Sequence, residues 1–280
     1  DEGRYLITSP EYHMKRLVAA GLPRIVQFCR CWRGGERGRH HQPEFTMIEW
    51  YRAGGSLEDI ATDCEAVIEV AARAAGTWPM LDVPASRGIS GLARLPVQPP
   101  FERITVRQAL ARFAGIALRG DEPPAEMLRL AQSIGCPPGD ATSWDDIFFQ
   151  IFLDKVEPHL GVERPTFVFD WPVPLAALAR RKDDDPLTVE RFELYAAGLE
   201  LANAFGELCD PAEQRARFLA EAELRRQQGK ALYPIDEKLL AALAHMPPTC
   251  GVAMGFDRLV MLVTGADHIR QVVAFADDEI

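Results

Sequence analysis

The sequence lacks any run of 18 apolar residues, so it offers no membrane-spanning helix, and its start carries no secretory signal pattern. Its six cysteines are scattered over Cys29, Cys31, Cys64, Cys136, Cys209 and Cys250; none forms C-x-x-C, and no Cys/His spacing suits zinc. Reduced, buried thiols in a cytoplasmic protein are therefore expected. There is no G-x-x-x-x-G-K-[ST] loop and no G-x-G-x-x-G fingerprint, which removes the two commonest glycine-rich phosphate cradles. Basic residues are outnumbered, 31 against 41 acidic ones, and the net charge of −10 speaks against broad, non-specific nucleic-acid binding. No internal repeat is visible.

What is present is enough apolar material, 48% of 280 residues, for one large domain. Hydrophobic periodicity predicts a short strand at 5–8, a helix from Pro10 to about Ala20, and strands at 24–33 and 44–52. Ser56 and Asp59 form a candidate capping box for a helix with apolar residues at Leu57, Ile60, Ala61, Cys64, Val67, Ile68 and Ala71. The Pro- and Gly-rich stretch 76–100 reads as an irregular connection. Helices follow near 105–115, 124–135 and 144–158, then a buried strand at 166–169 and an exposed turn at 182–186. Strands at 188–197 and 199–206, helices at 211–228 and 235–245, a strand at 250–255, a helix at 256–263 and a strand near 270–275 complete the chain. Hairpins instead of regular βαβ units point to an α+β fold, a mostly antiparallel sheet flanked by helices.

Three constellations carry chemistry. The first is the hairpin with an Arg-, Gly- and His-rich loop between Trp32 and Tyr51. Phe45, Met47, Glu49 and Tyr51 share one strand face; Phe45 could stack on a purine and Arg33 could fork onto a phosphate. Phe45 and Met47 would equally serve as core residues. The second is Glu193 with Glu200, across a turn near Gly198, a pair able to hold Mg²⁺ together with phosphate oxygens. Taken singly, either is as easily a solvated glutamate. A strict period of two puts Glu200 and Asn203 on opposite faces, so a site using both requires a bulge. The third is Gly251-Val252-Ala253-Met254-Gly255-Phe256-Asp257-Arg258, a small-residue strand that lets a ligand approach the backbone and leads to an arginine in the first helical turn.

Together these segments resemble the catalytic core of class II aminoacyl-tRNA synthetases, the hairpin as motif 2 and Gly255-Phe256-Asp257-Arg258 as motif 3. The lysine branch matches best, through Pro43-Glu44-Phe45-Thr46-Met47 with Glu49, and through Glu200, Asn203, Glu207-Leu208 and Asp210-Pro211. More narrowly, Thr8 to Leu17 (TSPEYHMKRL) and Phe45 to Arg52 (FTMIEWYR) resemble the EpmA/PoxA/GenX family of lysyl-tRNA synthetase paralogues, which attach β-lysine to a lysine side chain of translation elongation factor P. The resemblance implies ATP and Mg²⁺ as cofactors, lysine or β-lysine as small substrate, elongation factor P as protein partner, no role for tRNA or a membrane, and a homodimer. It implies one catalytic domain over 1–280, variable over 76–140, with motif 1 upstream of Asp1.

It also implies roles. Arg33 and Arg258 would be catalytic and bind ATP, with Gly34, Gly35, Gln42, Phe45, Glu200, Leu201 and Gly255 around the nucleotide. Glu193 and Glu200 would hold the metal. Ser9, Pro10, Glu11, Tyr51, Asn203, Glu207 and Ala253 would surround the amino acid, with Glu11 at the amino group near the carboxylate and Tyr51 and Glu207 at the distal ammonium. Departures from the family pattern concentrate in motif 2. Its usual Arg-x-Glu is Arg33-Gly34-Gly35 here, and Glu36 would stand in for the lost carboxylate only if the loop is irregular. Gln42 replaces Asn, and Ala204 stands where Gly is frequent. Two other readings stay open: a lysyl-tRNA synthetase catalytic fragment, and an inactive paralogue acting as a binding module.

Overall fold

The structure, a computed structural model, describes residues 5–89, 91–137 and 139–276. Its strands are β1 (Arg24–Trp32), β2 (Glu44–Ala53), β3 (Met80–Asp82), β4 (Arg94–Pro96), β5 (Glu102–Thr105), β6 (Thr166–Pro172), β7 (Thr188–Ala196), β8 (Leu199–Gly206) and β9 (Thr249–Gly255). Its helices are α1 (Glu11–Ala19), α2 (Leu57–Ala74), α3 (Val106–Ala109), α4 (Pro124–Ser133), α5 (Trp144–Ile151), α6 (Pro211–Gln227), α7 (Glu237–Leu243) and α8 (Phe256–Thr264). Seven strands form one sheet in the order β1-β2-β9-β8-β7-β6-β5, antiparallel except for the β5/β6 pair. The α+β expectation holds.

Strand alternation divides the molecule into layers. Ile48 and Trp50 of β2 point to one side, into a core shared with Ile60, Cys64 and Ile68 of α2 and Leu259 and Leu262 of α8. Each large apolar side chain fully buried there contributes about 1.5–3 kcal/mol. The intervening Met47, Glu49 and Tyr51 face the other side, and that side carries the site. α1 and α7 close one end of it, Met14 and Val18 packing with Tyr51, Leu239, Leu240 and Leu243. A further core of Phe148, Phe152, Trp171 and Tyr195 fixes the β6/β7 end. The Ser56 capping box is present: the Asp59 amide donates to Ser56 Oγ at 3.1 Å and the Ser56 amide to Asp59 Oδ2 at 2.8 Å.

Four segments depart from the sequence reading. Residues 5–8 form no strand; one bond, Trp32 N to Ile7 O at 2.9 Å, lays them along the β1 edge before Pro10 turns the chain into α1. Residues 270–275 form no strand either. A 3₁₀ turn at Ile269–Gln271, capped by His268, puts Val272 and Val273 against the α2/α8 core, so their apolar character is spent on packing, not pairing. The 76–100 stretch contains the two-stranded β3/β4 sheet. Strand β5 was hidden by its length of 4 residues beside a helix start.

Candidate active site

Pairing across the sheet assembles the site from segments far apart in sequence. Glu49 of β2 is opposite Ala253 of β9, Ala253 opposite Asn203 of β8, and Asn203 opposite Glu193 of β7. This row of four runs transversely over the site face. One row along, Tyr51, Gly251 and Phe205 align in the same way, and Met47 pairs with Gly255. The small residues of β9 therefore lie between bulky neighbours and leave the middle of the sheet low. Above it opens a cleft of about 340 Å³, lined among others by Glu11, Arg33, Phe45, Asn203, Ala253 and Arg258.

The bulge required by the spacing of Glu200 and Asn203 is present. Leu194 pairs with Ala202 and Tyr195 with Glu200, so Leu201 is the extra residue of β8. Both Glu200 and Asn203 line the cleft as a result. Enclosure by neighbours and then the charge of Glu193 raise the Glu200 carboxyl to about 7. Glu193 accepts from Arg191 and from Tyr195 Oη, each at 2.5 Å, and from Asn203 Nδ2 at 3.4 Å. Arg191 also donates to Asn203 Oδ1 at 3.2 Å and lies over the Trp171 ring at 4.4 Å. Arg191 thus locks the Asn203 amide in one orientation, a role that its alternation with Glu193 and Tyr195 on β7 could have signalled.

At the hairpin end of the cleft, Arg33 lies over the Phe45 ring, 5.2 Å from its centroid. The loop is irregular. Arg33 to Glu36 is a tight turn closed by Glu36 N to Arg33 O at 3.0 Å, and it returns the Glu36 carboxylate to 3.6 Å from Arg33 on the cleft wall. Arg258, from the first turn of α8, reaches Glu200 O at 2.8 Å, His40 O at 3.2 Å and His41 Nε2 at 2.6 Å. Asp257 accepts from the Thr46 amide at 2.7 Å and so fastens α8 to β2. Burial and then the Arg258 charge push the His41 imidazole below its usual value, which keeps it neutral beside the guanidinium. Gln42 also lines the cleft and is buried; Gly34 and Gly35 form the turn and have open space around them.

The other end of the cleft, beside α1, has two layers. Ser9, Glu11, Asn203 and Ala253 face the cleft. One contact behind them lie Glu49, Tyr51 and Glu207, all almost fully buried. Pro10 precedes α1 and is buried, and its carbonyl accepts the first helical bonds. Ser9 Oγ donates to Glu49 at 2.5 Å, and Tyr51 Oη donates to Glu49 at 3.1 Å. Lys15 Nζ lies 2.5 Å from both Glu11 and Glu207. Burial raises the Glu207 carboxyl to about 8 against the pull of Lys15, and raises Glu49 to about 7 against the Ser9 bond. Burial opposes the charge on Lys15, but Glu11 and Glu207 outweigh it and hold its ammonium above the ordinary value. Sequence reasoning left out Lys15, which as a Glu–Lys i,i+4 pair looks like a solvated helix surface.

Among the described residues no three His, Cys, Asp or Glu side chains form a metal cage, and no helix is long and apolar enough to cross a membrane. Glu200, on the cleft wall 3.9 Å from Arg258, and Glu193, which keeps one lone pair beyond its three bonds, fit an ion that takes its other ligands from phosphate and water.

A sheet of this order with an arginine-and-phenylalanine hairpin, an acidic β7/β8 pair and an arginine after a small-residue strand defines an adenylate-forming synthetase core. The chain belongs to the class II tRNA synthetases (D, K and N), whose family model matches residues 2–279. It is 38% identical over 276 residues to a protein of Edwardsiella ictaluri (strain 93-146) named "Elongation factor P--(R)-beta-lysine ligase", covering 98% of this chain and 78% of that one. Proteins of the same name from Pectobacterium carotovorum subsp. carotovorum (strain PC1) and Erwinia tasmaniensis are each 40% identical, over 273 and 280 residues. These relatives and the shared domain make the chain a ligase of the synthetase type.

Proposed function

We propose that this chain activates (R)-β-lysine or lysine with ATP as an aminoacyl-adenylate and transfers it to a lysine side chain of translation elongation factor P. The observation that carries the reading is a single cleft that runs from Ser9, Glu11, Asn203 and Ala253 to Arg33, Phe45 and Arg258, and so offers a carboxylate for an ammonium group and two arginines for triphosphate. A carboxylate oxygen of the substrate, placed by Asn203, attacks the α-phosphorus to form the mixed anhydride, and the bond to pyrophosphate breaks. Arg33 and Arg258 lower the barrier by meeting charge that grows on the phosphate oxygens, and Phe45 stacks on the adenine. Glu193 and Glu200 would hold Mg²⁺, whose charge offsets that of the phosphates. The neutral amine of the acceptor lysine then attacks the acyl carbon, and AMP leaves.

Buried ammonium groups need carboxylate partners, and Glu11, Glu49 and Glu207 supply them. The return of Glu36 to Arg33 supports activity over an inactive binding module, since a carboxylate reaches the wall despite Gly35. The exposed β1 edge, with Val26 and Phe28, is the face we assign to a second copy in a homodimer. The test is pyrophosphate exchange with lysine and with β-lysine, followed by transfer to elongation factor P or to tRNA(Lys). Exchange with a lysine isomer and transfer to the protein are expected. Faster charging of tRNA would make the chain a lysyl-tRNA synthetase fragment, and no exchange by a folded, ATP-binding chain would make it an inactive module.

A further inference from the structure

Lys15 is the feature of the amino-acid end that the reaction leaves without a role. It sits in α1 with its side chain 2% exposed, and its ammonium bridges Glu11, on the cleft wall, to Glu207, which is 1% exposed. Glu49 lies in the same layer, joined to the cleft by Ser9. Three carboxylates face one ammonium, so fully ionised they leave room for two more positive charges. Two ammonium groups on the ligand would supply them, while its own carboxylate turns toward the phosphate side.

We propose that Lys15 is a positioning residue: a fixed internal counter-ion that favours the ionised form of Glu207 when a ligand ammonium arrives, so that the pocket selects an amino acid with a second ammonium group. Two neighbouring carboxylates with no cation between them share a proton. Without Lys15, Glu207 is the group that takes it, being the more buried of the two. A protonated Glu207 still accepts a bond, but no longer demands a charged partner. Removal of Lys15 therefore costs discrimination more than it costs turnover. Burial raises the Glu207 carboxyl even with Lys15 in place, consistent with a group that needs a cation to stay charged.

This inference rests on the reading of the pocket as one for a diamino acid, and the experiment separates the two. Pyrophosphate exchange is measured with lysine and with norleucine, which lacks the second ammonium. If the wild type exchanges with no diamino acid, the functional reading fails. If it does, Lys15→Met is expected to lower the lysine-to-norleucine ratio of kcat/KM by about tenfold or more, through the KM for lysine. In Lys15→Ala, added propylammonium restores the ratio. Equal losses for both substrates would mean a structural role only, and tighter lysine binding would make Lys15 a competitor; either overturns the proposal. Should Lys15→Met not fold, Lys15→Met/Glu207→Gln removes one charge of each sign and carries the test. It is expected to match the ratio of Glu207→Gln alone, and a further fall of about tenfold refutes the coupling.

Discussion

Gly251→Ala probes the buried layer directly. Gly251 pairs with Tyr51 on one side and Phe205 on the other. A Cβ placed there would press on the Tyr51 ring and lie 2.6 Å from Glu207 Oε1, well inside the distances that real Cβ atoms keep. Neither neighbour yields easily. Tyr51 is 3% exposed and tied by its hydroxyl to Glu49, and Glu207 is held by Lys15. Overpacking of this kind costs about 1–3 kcal/mol. At roughly 2–4 °C per kcal/mol, the melting temperature should fall by about 2–12 °C. The groups displaced are those proposed to receive the distal ammonium, so the KM for lysine should rise by about tenfold, equivalent to roughly 1.4 kcal/mol, while the KM for ATP stays put. Thermal melts and exchange kinetics with each substrate varied in turn measure both. Wild-type melting and an unchanged lysine KM would refute the close approach of β9 to Tyr51 and Glu207. A fall in melting temperature with both KM values unchanged would detach that layer from substrate binding.

Arg33→Ala should lower the exchange rate about 10²–10³-fold by removing one donor to a charge that develops in the transition state; unchanged kinetics would remove Arg33 from the site. Gly35→Glu should fold normally, within about 0.5 kcal/mol, because nothing lies within 4 Å of its Cβ, and should keep or improve activity; a sharp loss would show that Glu36 needs the two-glycine turn to reach Arg33. Affinity for lysine should rise with pH through the range from about 7 to about 8. The sign follows from burial: Glu49 and Glu207 hold protons in the free protein below those values, and a ligand ammonium must displace them, with Ser9, Tyr51, Glu11 and Lys15 facing the same two groups. A pH-independent lysine KM would mean that both are already ionised.

The hairpin that carries Arg33 and Phe45 was legible because residue identity and strand alternation are local. Phe45, Met47, Glu49 and Tyr51 fall on one face, as a period of two requires. The capping box at Ser56 and the ends of α1, β1, β2, β7 and β8 were legible for the same reason, each being set by side chains within a few residues. The β8 bulge was legible only as a condition: two residues with one purpose and the wrong parity. Register was not legible. That Ala253 lies between Glu49 and Asn203 depends on pairing three strands separated by about 50–200 residues, and no local signal carries it. Lys15 was hidden because burial of α1 comes from α7, more than 200 residues later. The strand expected at 270–275 failed for a related reason, since β-branched residues pack equally well on a helix layer.

The two ends of the cleft are held by different kinds of interaction. At the end lined by Ser9 and Glu11, Lys15 pairs with Glu11 and Glu207, Glu49 accepts from Ser9 and Tyr51, and the Glu11 amide joins the two groups through Ser9; breaking one buried pair by removing a partner typically costs about 3–5 kcal/mol. At the nucleotide end, the Arg33–Glu36 pair is about 40% exposed on both sides, and such pairs contribute about 0–1 kcal/mol. Arg258 is hydrogen-bonded to two carbonyls and to the neutral ring of His41, and its charged partner, the half-exposed Glu200 carboxylate, lies 3.9 Å away. Triphosphate oxygens offer charge-assisted bonds, roughly twice as strong as neutral ones. A nucleotide can therefore exchange the partners of both arginines at little cost, while the amino-acid end cannot rearrange cheaply around a wrong side chain. On the proposed function, selectivity would belong to the rigid end and recruitment of ATP to the adjustable one, as expected where one small amino acid must be told from its relatives but ATP has few rivals.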